Sequence, residues 1–120
     1  MIKLWRRLSS KEFQQLFHEG SFLSGKLLCI NVKKHDGPAV GFTLKKKKRD
    51  AVLRNLMRRR LREAFIKVQE FIPTQWQIVL IGLDDVKTVP IDELSSELYR
   101  LVQLGIKKWK QEYENPTSPH

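Results

Sequence analysis

Apolar and polar positions alternate along this chain with two different periods, and together they predict six elements. Ser9-Ser10-Lys11-Glu12 has the form of a capping box, with Leu8 and Phe13 placed to pack across it as a hydrophobic staple. Phe13, Leu16 and Phe17 then recur at i, i+3 and i+4, and Gly20 supplies a stop, so a short first helix is expected. In "LLCINVK", residues 27–33, Leu28, Ile30 and Val32 share one face of a strand. Gly37-Pro38 breaks the chain before "AVGFTL", residues 39–44, where Val40, Phe42 and Leu44 alternate again. Two antiparallel strands joined by a polar loop is the economical reading. "WQIVLIGL", residues 76–83, is apolar along nearly its whole length, as a strand buried on both faces should be. Just after Pro90, Leu94, Leu98, Leu101, Val102, Gly105 and Trp109 form a helical stripe over 91–109.

The remaining segment, from Ala51 to about Phe71, predicts a second helix with an uneven circumference. Leu53, Met57, Leu61, Ala64, Phe65 and Val68 project within roughly 120° of one another, a stripe wide enough to dock on a sheet. Arg54, Arg58 and Arg62 follow its border at i, i+4 and i+8, Asn55 and Arg59 continue round the outer side, and Arg60 and Lys67 point elsewhere. One helix face is core, and the adjoining face is a wall of guanidinium groups.

Charge sharpens this picture. Residues 45–65 hold ten Lys and Arg against two acids, Asp50 and Glu63, in a chain of formal charge +10. Solvated helix faces usually interleave signs, because like charges four residues apart repel. Residues 1–83 carry 18 basic and 6 acidic side chains, and residues 84–120 carry 5 and 7. An anionic partner should therefore meet the first two thirds of the chain, and nucleic acid leads the candidates. Arginine suits that role, because its planar group binds phosphate bidentately and stacks on bases. The bland alternative is a solvated surface, against which Lys45 to Lys48 and Arg49 extend the positive region onto the preceding strand end and loop.

Other chemistries find little support. At 120 residues and 14.2 kDa the chain suits one domain, residues 1–113, followed by a tail, "ENPTSPH", expected to be disordered. A single cysteine, Cys29, excludes an internal disulfide framework and reads as a small buried hydrophobe. No apolar run approaches the ~20 residues needed to span a bilayer, and "MIKLWRRLSS" lacks a signal-peptide core, so a soluble, cytoplasmic protein is expected. His18, His35 and His120 lie far apart without Cys or carboxylates at ligand spacing, which argues against a metal cage of side chains. No Gly-rich phosphate loop or nucleophile elbow is present, and Asp84-Asp85 reads as a solvated loop pair. A DNA reader would need a recognition helix with a helix-turn-helix partner, and here the basic helix commits its other face to the core. By default Phe13 and Phe17 are core residues of the first helix, and Trp76 and Trp109 pack at element ends.

Val40-Gly41-Phe42, a lysine cluster, Ala51-Val52-Leu53-Arg54-Asn55, then Arg58-Arg59 and Arg62-Glu63-Ala64-Phe65 together resemble the signature of the protein subunit of bacterial ribonuclease P. "EFQQLFHEG" is similar to that family's Phe-x-x-x-Phe-x-x-Gly first helix. Two departures stand out: Leu56 occupies the place of the second Arg of an Arg-Asn-Arg triplet, and Lys48-Arg49 replaces a small residue plus Gly. The resemblance implies an α/β (α+β) two-layer sandwich of the ribosomal protein S5 domain 2-like type. Its order would be helix-strand-strand-helix-strand-helix, with a left-handed βαβ crossover against the usual preference. It further implies that an RNA subunit with bound Mg2+ is the catalyst, removing the 5′ leader of precursor tRNA, and that the protein alone cleaves nothing. Lys45, Lys46, Lys47, Arg54, Asn55, Arg58, Arg59 and Arg62 would contact RNA, while Phe13, Phe17 and Asn31 would line a leader-binding cleft. Asn31 falls where relatives often carry an aromatic. The partners implied are ribonuclease P RNA and precursor tRNA, with neither DNA nor membrane. The rival class is a non-catalytic structural RNA-binding protein of the ribosomal-protein type.

Overall fold

A computed structural model describes residues 4–46 and 50–114, with side chains through Trp109. In chain order its elements are β1 (Arg6–Arg7), α1 (Ser10–Glu19), β2 (Ser21–Ser24), β3 (Leu28–Lys34), β4 (Ala39–Leu44), α2 (Ala51–Val68), β5 (Trp76–Gly82) and α3 (Ile91–Glu114). The strands form one sheet in the order β1-β4-β5-β3-β2. α3 continues past Trp109 and takes in Glu114, which the sequence pattern placed in the tail; residues 115–120 lie outside the described residues.

The two alternating strands do not form the expected hairpin. β5 lies between them, antiparallel to β3 and parallel to β4, with Val40 opposite Ile78 and Ile30 opposite Leu80. All seven residues of β5 are buried. An apolar run of this kind is best covered in the middle of a sheet, with helices on both faces and strands on both edges. The connection from β3 to β4 permits the jump. Five Cα steps reach up to about 17 Å, and two interstrand spacings need only about 10 Å. The loop is pinned over the start of β5 by the His35 amide, which donates to the Gln75 carbonyl at 2.6 Å. α2 then becomes the crossover between the parallel strands β4 and β5.

Alternation along the strands assigns each face its cover. Leu28, Ile30, Val32, Val40, Ile78 and Leu80 pack with Met57, Leu61 and Phe65 of α2 and Leu94, Leu98 and Leu101 of α3. On the reverse face Cys29, Ala39, Val79 and Ile81 lie under Leu8 and Leu16, so α1 covers that side. The sheet and the α2/α3 pair make the two main layers of this α+β fold. The capping box forms as expected: Ser9 Oγ accepts from the Glu12 amide at 3.2 Å, and Glu12 Oε1 accepts from the Ser9 amide at 2.9 Å. Asp50 caps α2 by accepting from the Val52 and Leu53 amides, which explains one acid at the end of a lysine run. Among the described residues no helix is long and apolar enough to cross a membrane.

Candidate nucleic-acid interface

The interface is built on α2, whose apolar stripe docks as expected: Met57, Leu61, Ala64, Phe65 and Val68 are buried. Burial of that stripe sets the direction of every basic side chain on the helix. Arg60 turns away from the wall and donates from Nε to the Val86 carbonyl at 2.6 Å and from its terminal nitrogen to the Val89 carbonyl. Lys67 pairs with Asp92 at 3.0 Å. Arg60 ties α2 to the segment before α3, and Lys67 ties it to the first turn of α3. Arg58, Arg59 and Arg62 are exposed and, with Asn55, form one wall of a cleft of about 850 Å³.

The floor of the cleft is the open edge of the sheet. β1 pairs with β4 only at Ala39 and Val40, and among the described residues no strand covers β4 beyond them on that side. Gly41, which is buried, and the half-buried Phe42 and Thr43 therefore line the cleft along an unpaired strand edge. Trp5, Arg7 and Phe13 complete the lining. A Cβ at position 41 would meet the Phe13 ring at 2.5 Å, so glycine is what lets this ring lie against the β4 backbone. Among the described residues that line the cleft there are four arginines and no carboxylate.

Glu12, which precedes Phe13 on α1, is already engaged. Glu12 accepts from both terminal nitrogens of Arg6, at 2.8 and 2.5 Å, and from Gln77 Nε2 at 3.1 Å. The bond from Arg6, followed by that from the Ser9 amide, brings its carboxyl down to about 2. Glu12 thus stays ionised and paired, and its charge is held by Arg6 at the other sheet face.

The structure brings together Asn55, Arg58, Arg59, Arg62 and Phe13 from the residues the sequence singled out. Arg54 lies half-buried on the same helix and is not among the lining residues. Lys45 and Lys46 are exposed and border a smaller recess with Met57, Leu83 and Asp84. Lys47 lies outside the described residues. Phe17 is 52% exposed and stands beside Phe13, ring centroids 6.2 Å apart, as a continuation of the aromatic surface along α1. It is not a core residue. Leu56 is exposed on α2. Asn31 does not line the cleft: it is 3% exposed, because β3 lies inside the sheet and the Gly20 end of α1 passes over it. Trp5 and Arg7 carried no clear signal in the sequence. Trp5-Arg6-Arg7-Leu8 reads apolar-polar-polar-apolar, without the alternation that marks a half-buried strand, and its pairing with β4 spans only two residues.

The chain's relatives decide its family. The ribonuclease P family model matches residues 1–104. This chain belongs to the ribonuclease P protein family. The ribonuclease P protein component of Brevibacillus brevis is 27% identical over 106 residues, which is 86% of this chain and 84% of the relative. That of Pediococcus pentosaceus is 27% identical over 118 residues, 95% and 99% of the two chains. In fold, the chain is similar to the RNase P protein from Thermotoga maritima, with a TM-score of 0.72 at 24% identity, over 82% of this chain and 96% of that one. The RNase P protein from Staphylococcus aureus gives a TM-score of 0.65 at 22% identity, over 87% and 91%. Within this family the cleft of this chain pairs an aromatic helix face with an arginine helix face across a strand edge.

Proposed function

We propose that this chain is the protein subunit of an RNA-based ribonuclease P, and that its cleft and arginine wall hold the catalytic RNA and the 5′ leader of precursor tRNA while the RNA performs the cleavage. The observation that carries this reading is the lining of the cleft, which among the described residues has four guanidinium groups and the Phe13 and Trp5 rings and no carboxylate. Guanidinium groups neutralise phosphates, and aromatic rings offer stacking surfaces to unpaired bases, the combination that single-stranded nucleic acid needs. Neutralising phosphates where two RNAs approach lowers their mutual repulsion, so less Mg2+ is required to bring leader and catalytic RNA together.

Mg2+ in this reading belongs mainly to the RNA, where it supplies the activation of water for phosphodiester hydrolysis. Among the described residues no three His, Cys, Asp or Glu side chains come together as a metal cage. The chain's own contribution is binding and orientation, in the cytoplasm, with RNA rather than DNA or membrane as partner. The test is to add the protein to a bacterial ribonuclease P RNA at Mg2+ too low for the RNA alone. Restored leader removal is expected. RNA binding without any stimulation of cleavage would assign the chain instead to structural RNA-binding proteins.

A further inference from the structure

Arg6 and Arg7 are adjacent, chemically identical, and turned to opposite faces of the sheet. Leu8 packs with Leu16 and Ala39 on the α1 side, and Arg6 reaches the same side to bind Glu12. Trp5 lies on the other side, its ring edge-on to Phe65 of α2 at 5.2 Å. Side chains alternate along an extended chain, so Arg7 shares the side of Trp5, and there it lines the cleft together with Arg58, Arg59 and Arg62. Two backbone bonds hold it in place, from the Arg6 amide to the carbonyl of Pro38, the residue before β4, at 3.2 Å and from the Leu8 amide to the Val40 carbonyl of β4 at 3.1 Å. Arg7 is therefore a cation on a fixed strand, at the wall formed by β1 and facing a helix wall of like charge. Four like charges around one concave surface repel one another, and among the described lining residues no carboxylate relieves them.

We propose that Arg7 is a further RNA-contacting residue, binding a phosphate of the strand held in the cleft from the side opposite the arginine helix. This rests on the reading of the cleft as an RNA site. With Arg7 included, a bound strand is held from two elements far apart in sequence, so its path along the β4 edge is set rather than merely attracted. Arg6 has the other role: its charge is spent inside the protein on Glu12.

Three variants test it: Arg7→Ala, Arg7→Lys and Arg6→Ala. Each is compared with wild type for affinity to a bacterial ribonuclease P RNA, and as holoenzyme for precursor tRNA and mature tRNA, over a range of salt. Arg7→Ala is expected to weaken one of these complexes on the order of tenfold and to reduce its log-log salt slope by about 0.7 to 0.9. Arg7→Lys should restore most of the slope, since it keeps the charge. Arg6→Ala should leave the slope unchanged and lower thermal stability. Loss confined to precursor tRNA assigns the phosphate to the leader, and loss with the catalytic RNA assigns it to that partner. If Arg7→Ala leaves affinity and slope unchanged in all three complexes while wild type binds them, Arg7 is surface and the inference fails. If wild type binds none of them, the RNA reading itself has failed.

Discussion

Glu12 and Arg6 meet in a two-point ion pair, Nη1 to Oε1 at 2.8 Å and Nη2 to Oε2 at 2.5 Å, that joins the first turn of α1 to β1. The same carboxylate closes the capping box and accepts from Gln77 of β5, so one side chain fastens helix, edge strand and central strand. Through this fastening α1 is set on the sheet with Phe13 at the cleft.

Acid should loosen it. Glu12 titrates at about 2 in the folded chain, below its unfolded value of about 4.3. A depressed carboxylate contributes stability that is fully present above the unfolded value and is lost as pH falls through the folded one. Glu12→Gln is therefore expected to lower stability at pH 7 by on the order of 1 kcal/mol, a modest figure for a pair whose arginine is half in water. The gap between wild type and variant should narrow progressively from about pH 5 and close only below about pH 2. Denaturant unfolding of both proteins across that range checks it, and a gap independent of pH would contradict it.

Gly41 makes room for Phe13. A Cβ there would come within 2.5 Å of the ring and 3.2 Å of Leu8. Gly41→Ala is expected to displace the ring and cost about 1 to 3 kcal/mol as overpacking. Thermal melting and the preference for precursor over mature tRNA should both fall. A variant that melts like wild type would show that the ring moves aside freely.

The arginine wall lies off the apolar stripe, so removing it should spare the fold. Arg58→Ala with Arg62→Ala is expected to keep the wild-type melting temperature and to lower the log-log salt slope for ribonuclease P RNA by about two, one for each phosphate left without its arginine. Filter binding over a salt series measures this. An unchanged slope would make the wall ordinary solvated surface.

Phe17 separates cleft from core more cleanly than Phe13, because it is 52% exposed. Phe17→Leu is expected to change stability by only about 0.5 kcal/mol. If it provides a stack for a leader base, precursor tRNA binding should weaken by on the order of 1 to 3 kcal/mol while mature tRNA binding stays as it was. Equal binding of both tRNAs by variant and wild type would remove Phe17 from the leader site.

Local pattern in the sequence determined a great deal of this protein. The capping box at Ser9 and Glu12, the continuous apolar run of β5, the 3.6-residue stripe from Met57 to Val68 and the arginines left outside that stripe are all set by residues close together in sequence. Which strands become neighbours is another matter. Alternation in β3 and β4 states which residues share a face, and says nothing of what lies beside them; β5 entered between the two because its own burial required both edges covered. Tertiary structure also decided the fates of Asn31, covered by the end of α1, and of Arg6 and Arg7, sent to opposite faces by two residues of strand pairing. The cleft itself is of this kind, since its walls come from β1, α1, β4 and α2 and exist only where long-range pairing brings them together.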